Sequence, residues 1–144
     1  MSLAMSKPER EAFLAGLHVG VISVAADGRA PLTVPILYSY APGGVVRFVT
    51  GSGSKKAALI RKAGRLSLCV QTETAPYQYV SIEGTATIGH PDFERDIRAM
   101  AYRYLGEQMG EMYLQRTANE RVNTILVSVK PERWLTVDYT KMGT

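Results

Sequence analysis

Cysteine occurs once in this chain, at Cys69, and a single thiol excludes an internal disulfide and any cysteine-rich metal site. It lies in the apolar run LSLCVQ, where a buried, inert thiol is expected. Histidine occurs twice, as His18 and His90, far apart and in no metal-ligand spacing, so no metal centre is expected. No apolar run approaches the ~20 residues that a bilayer-spanning helix needs, which argues against a membrane protein. The N-terminal stretch carries Lys7, Glu9, Arg10 and Glu11 where a secretory leader would be apolar, so a cytoplasmic chain is expected. Residues 1–4 are expected to be extraneous to the protein or disordered and are left out of the fold. There is no internal repeat, low-complexity tract or linker.

What remains is an ordinary globular composition. The 144 residues are 46% hydrophobic and 21% charged, enough to bury a core as one domain over 1–144 without a crosslink or a structural metal. The formal net charge is +4, and the basic residues are unevenly spread: Lys55, Lys56, Arg61, Lys62 and Arg65 fall close together. Such a surplus is either a solvated face or a seat for an anionic small molecule. No helix-turn-helix, zinc-finger or RNP-like signature accompanies it, so no nucleic-acid partner is expected.

The basic cluster belongs to VVRFVTGSGSKKAALIRK at 45–62, which reads as an apolar strand, a Gly/Ser turn and a helix. Ser54 is a good N-cap, and the free N–H groups of a first helical turn attract anions, so Lys55 and Lys56 there make a phosphate seat. The alternative is a capped, solvated surface helix, and this stretch alone leaves both readings open.

The rest of the chain reads as strands with helices inserted between them. KPEREAFLAG at 7–16 has proline near its start, acidic residues in its first turn and Gly16 at its end, which predicts a helix. HVGVISVA and APLTVPILYSY flank Asp27-Gly28, a hairpin signal. Pro35 cannot donate to a strand ladder, so the second strand is an edge, a bulge or open to a ligand there. VVRFVT is expected to pair back on it as a third strand. RLSLCVQ at 65–71 is a fourth strand, and YQYVSIEGTATI at 77–88 a fifth with Gly84 as a bulge or kink. DFERDIRAMAYRYL has Phe93, Ile97, Met100, Ala101 and Tyr104 at helical spacing, expected as packing surface, and Gly106 separates a further helix. VNTILVSVKP at 122–131 is the sixth strand, followed by ERWLTVDYTK with the sole tryptophan. Strands that mostly follow one another directly favour a small antiparallel barrel with peripheral helices over an open α/β sheet.

In this order, HVGVISVAADGRAPLTVPILYSY, VRFVTGSGSKKAALIRKAGRLSLCVQ, YVSIEGTATI and VSVKPERWLTVDYTK resemble the FMN-binding split-barrel superfamily, the pyridoxamine 5′-phosphate oxidase-like family, in its branch that uses FMN or the deazaflavin coenzyme F-420. These segments cover nearly the whole chain. The resemblance implies a mainly β (α+β) fold, a six-stranded antiparallel split β-barrel with short peripheral helices, and a homodimer with cofactor sites at the subunit interface. It implies an oxidoreductase that passes hydride between FMN or F-420 and a small organic substrate. The ring would lie along Pro35, Ile36 and Leu37, and the phosphate against Val49, Thr50, Ser54, Lys55 and Lys56. Gln71 would reach the ring and Trp134 would cover the cofactor from the partner subunit, although a lone tryptophan is also ordinary packing.

Tyr38, Tyr77 and Tyr79 are candidates for the substrate pocket or for barrel packing. No catalytic proton donor stands out. The additional arginines and histidine by which pyridoxamine 5′-phosphate oxidase proper holds its substrate are not found here. The rival reading is the same barrel holding a flavin, a deazaflavin or haem without turnover.

Overall fold

The computed structural model describes residues 2–143. Helix α1 (Lys7–Ala15) opens on a capping box: Ser6 Oγ accepts the Glu9 N–H at 3.3 Å, and the Glu9 carboxylate accepts the Ser6 N–H at 2.7 Å. Strands β1 (Gly20–Val24) and β2 (Leu32–Ile36) form the expected hairpin, with Val21 opposite Pro35. Its turn uses Gly28 at φ +69°, a left-handed conformation that suits glycine. Strand β3 (Val46–Gly51) leads into helix α2 (Lys55–Ala63), which ends on Gly64 at φ +67°. Strands β4 (Arg65–Gln71) and β5 (Gln78–Gly89) follow. A π-helical turn, Phe93–Arg98, runs into α3 (Ala99–Leu105), and α4 (Glu107–Arg116) lies beyond Gly106. A 3-10 turn, Ala118–Asn123, leads to β6 (Thr124–Val129) and β7 (Arg133–Asp138).

Every strand pairing is antiparallel. Six strands run in the order β2-β1-β4-β5-β6-β3, and β7, from the tryptophan-bearing segment, pairs with β5 as an addition to them. The expected pairing of β3 back onto β2 does not form. Beyond the hairpin, β2 reaches β3 only through the isolated Ser39–Arg47 bridge, whereas β3 pairs with β6 over its whole length, from Val46–Val129 to Gly51–Thr124. The aliphatic run TILVSV offers six paired positions, while β2 carries a proline that cannot donate. The sheet curls into a barrel that is split between its two end strands, β2 and β3.

Strand β5 is the spine of the curl. Its first half pairs with β4 on one side and β7 on the other; its last residues pair with β6. At the changeover sits Gly84, and a Cβ built there would lie 1.8 Å from the Lys130 carbonyl oxygen. Only glycine lets the β6–β7 corner cross β5 this closely.

Alternation along β1, β4 and β5 turns Ile22, Val24, Leu68, Val70, Val80 and Ile82 inward, where they are buried together with Phe48, Val127 and Val129. Leu14 of α1 and Ala57 and Ile60 of α2 close this core from outside the sheet. The segment set aside in the sequence reaches this packing through Leu3, whose carbonyl accepts the Asp138 N–H at 2.8 Å; just beyond it the Met5 N–H donates to Thr136 Oγ1 at 2.9 Å, and Met5 is buried. Met1 lies outside the described residues. Among the described residues, no helix is long and apolar enough to cross a membrane, and no group of three or more His, Cys, Asp or Glu stands close enough to hold a metal ion.

Candidate functional site

A cavity of about 710 Å³ occupies the split, within the range of about 300–1,000 Å³ usual for small-molecule sites. Pro35, Ile36 and Leu37 border it from β2 and the residue beyond, and Val49, Thr50 and Gly51 from β3. Both strands end the sheet, so backbone with no strand partner on its outer edge faces this space. Val19 and Lys56 add to the lining, and the remaining wall comes from the segment between the π-helical turn and β6.

One end of the cavity is polar and cationic. Ser54 caps α2 by accepting the Ala57 N–H at 3.1 Å, and its Oγ lies 3.5 Å from Thr50 Oγ1. The Gly51–Gly53 turn is pinned from two sides. Arg61 donates to the Ser52 carbonyl and to Ser52 Oγ, both at 3.0 Å, and the Ser52 N–H donates to the Asn123 carbonyl at 2.7 Å. A held turn keeps the first N–H groups of α2 oriented, and their partial positive charge favours an anion.

Lys56 lines the cavity at this end, half-buried, with no hydrogen bond or ion pair to another described residue. Burial pushes its ammonium pKa down from the ordinary value. Removing a cation from water without an anion costs free energy, so this lysine is stabilised by any anion that enters. Lys55, one position earlier, is exposed and does not line the cavity. Arg121 adds a second cation to the wall; its Nη1 donates to the Leu114 carbonyl and to Thr117 Oγ1, both at 2.9 Å, and its guanidinium lies 5.2 Å from the Phe93 ring centre.

Much of the remaining lining is apolar: Val19, Leu37, Ile97, Met100, Leu105 and Tyr113 contribute to it. Tyr104 closes the floor: its hydroxyl lies 2.7 Å from the His18 carbonyl and 3.0 Å from the Tyr38 carbonyl, and it accepts the Tyr38 N–H at 3.1 Å. One side chain thus ties together the chain ends that continue β1 and β2 beyond their last paired residues. Arg103 does the same for α1, donating to the Ala15 and Gly16 carbonyls at 3.0 and 2.7 Å. Asp96 borders the cavity but is almost wholly buried. Arg95 holds it through Nε and Nη2 at 2.9 and 2.7 Å, and the Asp92 N–H donates to it at 2.8 Å. The Arg95 bonds keep this carboxyl below the usual carboxylate range.

Of the residues singled out from the sequence, Pro35, Ile36, Leu37, Val49, Thr50 and Lys56 meet at this cavity, with Ser54 beside Thr50. The others lie elsewhere. Tyr38 is fully buried and its hydroxyl donates to the Leu14 carbonyl at 2.6 Å, which is a core role. Trp134 faces inward opposite Ile82, edge-on to Tyr40 and under the Arg10 guanidinium at 4.5 Å, so it packs against the barrel. Gln71 and Tyr79 stand opposite each other on the outward face of the β4–β5 ladder, and Tyr77 is exposed in the preceding turn. The sequence reading missed the wall from Asp96 to Thr124. Helical spacing from Phe93 to Tyr104 was visible, but an apolar helix face reads the same whether protein or ligand covers it.

The fold and the sequence have known counterparts. The family model for pyridoxamine 5′-phosphate oxidase matches residues 6–138. Among solved structures, the conserved hypothetical protein Rv2991 from Mycobacterium tuberculosis superposes with a TM-score of 0.81 at 22% identity, over 99% of this chain and 90% of that one. An F420 reductase superposes with a TM-score of 0.63 at 17% identity over 87% and 94% of the two chains. An FAD-binding protein from Mesorhizobium loti gives 0.64 at 19% over 92% and 93%. At these identities the structural likeness speaks for the fold. No curated protein matches the sequence. The family match spans nearly the whole chain and includes both strands that border the cavity; the chain belongs to the pyridoxamine 5′-phosphate oxidase family.

Proposed function

We infer that this protein is an oxidoreductase that binds a phosphorylated flavin or deazaflavin, FMN or F-420, in the split of the barrel and acts on a small organic substrate. The observation that carries this reading is Lys56: a half-buried, unpaired ammonium beside the Thr50 and Ser54 hydroxyls and the α2 N-terminus, in a cavity much of whose remaining lining is apolar. That polarity matches a phosphate joined to a flat, largely apolar ring. The phosphate takes charge-assisted hydrogen bonds of about 1.5–3 kcal/mol each, and the ring lies against the free edge of β2. FAD-binding and F420 reductase proteins share this fold, which supports a cofactor of the same class here.

When bound, such a cofactor supplies the hydride chemistry. The chain's own part is positional. Lys56, Thr50 and Ser54 hold the phosphate, Pro35–Leu37 and Val49 flank the ring, and the apolar wall excludes water from its face.

The working unit in this reading is a homodimer. Residues Pro35, Val21, Cys69, Ser81 and Leu135 stand in register across β2, β1, β4, β5 and β7 on the outward face of the sheet. All are uncharged, and Leu135 is 62% exposed. An uncharged, mostly apolar row of this kind is suited to a second copy of the chain, and it begins at Pro35, a cavity residue.

The absorption spectrum of the purified protein, with and without added FMN or F-420, tests the cofactor. A shifted flavin or deazaflavin band that saturates at micromolar concentration is expected. If neither ligand binds at that concentration, the reading fails.

A further inference from the structure

The ladder between β1 and β2 ends on a side chain from α3. Pro35 has no N–H to offer Val21 opposite it, so the pair that exchanges backbone bonds is Gly20 with Ile36. Bonded pairs recur at every second residue, and the same register sets His18 opposite Tyr38 as the next one. Those two do not bond directly. The Tyr104 hydroxyl stands between them, 2.7 Å from the His18 carbonyl oxygen and 3.0 Å from that of Tyr38, and it accepts the Tyr38 N–H at 3.1 Å. Arg103, the residue before it, donates to the Ala15 and Gly16 carbonyls at 3.0 and 2.7 Å, so α3 holds both the chain entering β1 and the chain leaving β2.

The consequence falls on Leu37. Successive residues of an extended strand turn their N–H and C=O toward opposite edges. Tyr38 faces Tyr104, and Ser39 faces the other way, exchanging two bonds of 2.9 Å with Arg47 of β3. Leu37 faces the same edge as Ser39, but there the two strands have parted around the cavity, and its N–H and C=O have no partner among the described residues. A free donor and a free acceptor thus border the cavity on a residue that is followed at once by two anchors, Tyr104 on one edge and Arg47 on the other.

We propose that Tyr104 is a positioning residue for the cofactor: its hydroxyl, set into the β1–β2 ladder, holds Leu37 so that the Leu37 N–H and C=O meet the polar edge of the ring. This rests on the cofactor reading above. The edge of a flavin or deazaflavin ring carries carbonyl oxygens and an N–H, which an adjacent backbone donor and acceptor can pair. Without the hydroxyl, the His18 and Tyr38 groups regain partners only if the ladder closes or water enters, and closing draws Leu37 away from the cavity. Lys56 and its hydroxyl neighbours, on the β3 side of the split, keep their places.

The test separates ring from phosphate. FMN with riboflavin, and F-420 with the same deazaflavin lacking its phosphate, are titrated into the wild type, Tyr104→Phe, Tyr102→Phe and Lys56→Ala. Tyr102→Phe is the control, since it removes from the same helix a hydroxyl that bonds Arg98 and Glu111 instead of the strands. Tyr104→Phe is expected to weaken both members of a pair by the same factor, about fivefold or more, while Lys56→Ala weakens only the phosphorylated member and Tyr102→Phe neither. Two further readouts need only the wild type. The Tyr38 amide should be protected from hydrogen exchange before any ligand is added, and the Leu37 amide should become about tenfold or more slower to exchange on loading. Tyr104→Phe binding like the wild type, losing only the phosphorylated member, or being matched by Tyr102→Phe would overturn the proposal. So would a phosphate-free ring with no measurable affinity for the wild type, an unprotected Tyr38 amide, or a Leu37 amide that loading leaves unchanged. A wild type that binds no member of either pair overturns the cofactor reading itself, and the proposal with it.

Discussion

Lys55 and Lys56 are neighbours in sequence and opposites in surroundings. A helix turns about 100° per residue, so one lysine faces the cavity and the next faces water. The sequence points to the pair and to Ser54 as the cap, because both signals are local. It cannot choose between the lysines, because the direction of the cavity is set by β3 and by residues more than sixty positions away. His18 is a second residue whose role emerges only from packing. Its ring stacks on Phe13 at 4.6 Å and its Nε2 lies 2.9 Å from the Phe13 carbonyl. Burial, the largest cause, holds its pKa below 6.5; the carbonyl bond opposes this, and the Arg103 charge adds to it.

The folded state therefore binds fewer protons at His18 than the unfolded state does. The associated stability is present above the unfolded pKa of about 6.5 and is lost as the pH falls through the folded value. The carboxyl groups with depressed pKa values, such as Glu9 and Asp96, act at lower pH. Thermal unfolding should thus occur at a lower temperature at about pH 5.5 than at about pH 7.5, and His18→Gln should reduce that difference. A wild type equally stable at both values, or a variant with the same pH dependence, would speak against a half-buried imidazole whose pKa is depressed.

At the level of elements, the strands and caps were legible and one partner was not. Alternation fixes which face of a strand is buried, and Asp27-Gly28 fixes the β1–β2 hairpin, since both are written within a few residues. The pairing of β3 with β6 joins residues far apart in sequence, and nothing local in VRFVTG names its partner. Gly84 shows the same division. Its place in a long strand signals a bend, but the reason is the Lys130 carbonyl pressed against it by the β6–β7 corner. Gly84→Ala should cost at least ~2 kcal/mol, because backbone must move to admit the methyl group. Gly89→Ala, where a Cβ meets nothing within 4 Å, is the control and should cost less than ~1 kcal/mol. Urea unfolding of both variants measures the difference, and similar midpoints would contradict the close crossing.

Across the whole molecule, the split between β2 and β3 creates the cavity, and the outward row is the surface that the proposed dimer would use. Pro35 belongs to both, which is why a proline in an otherwise regular strand was the sequence's best pointer to the site after the lysines. If the row is the dimer contact, Leu135→Glu buries a charge at its end and should weaken self-association at least tenfold. Sedimentation velocity reads this directly. A monomeric wild type, or a variant that associates as well as the wild type, would remove the row from the account of assembly.

The most direct test of the cofactor site is calorimetric titration of FMN and of F-420 into the wild type, Lys55→Ala and Lys56→Ala. Lys55 is exposed and the half-buried Lys56 makes no hydrogen bond or ion pair to a described residue, so all three proteins should be equally folded. The expected result is that at least one cofactor binds the wild type at micromolar concentration, that Lys56→Ala weakens it at least tenfold, and that Lys55→Ala stays within about twofold. Unchanged affinity in Lys56→Ala would contradict the assignment of the phosphate to the α2 end of the cavity.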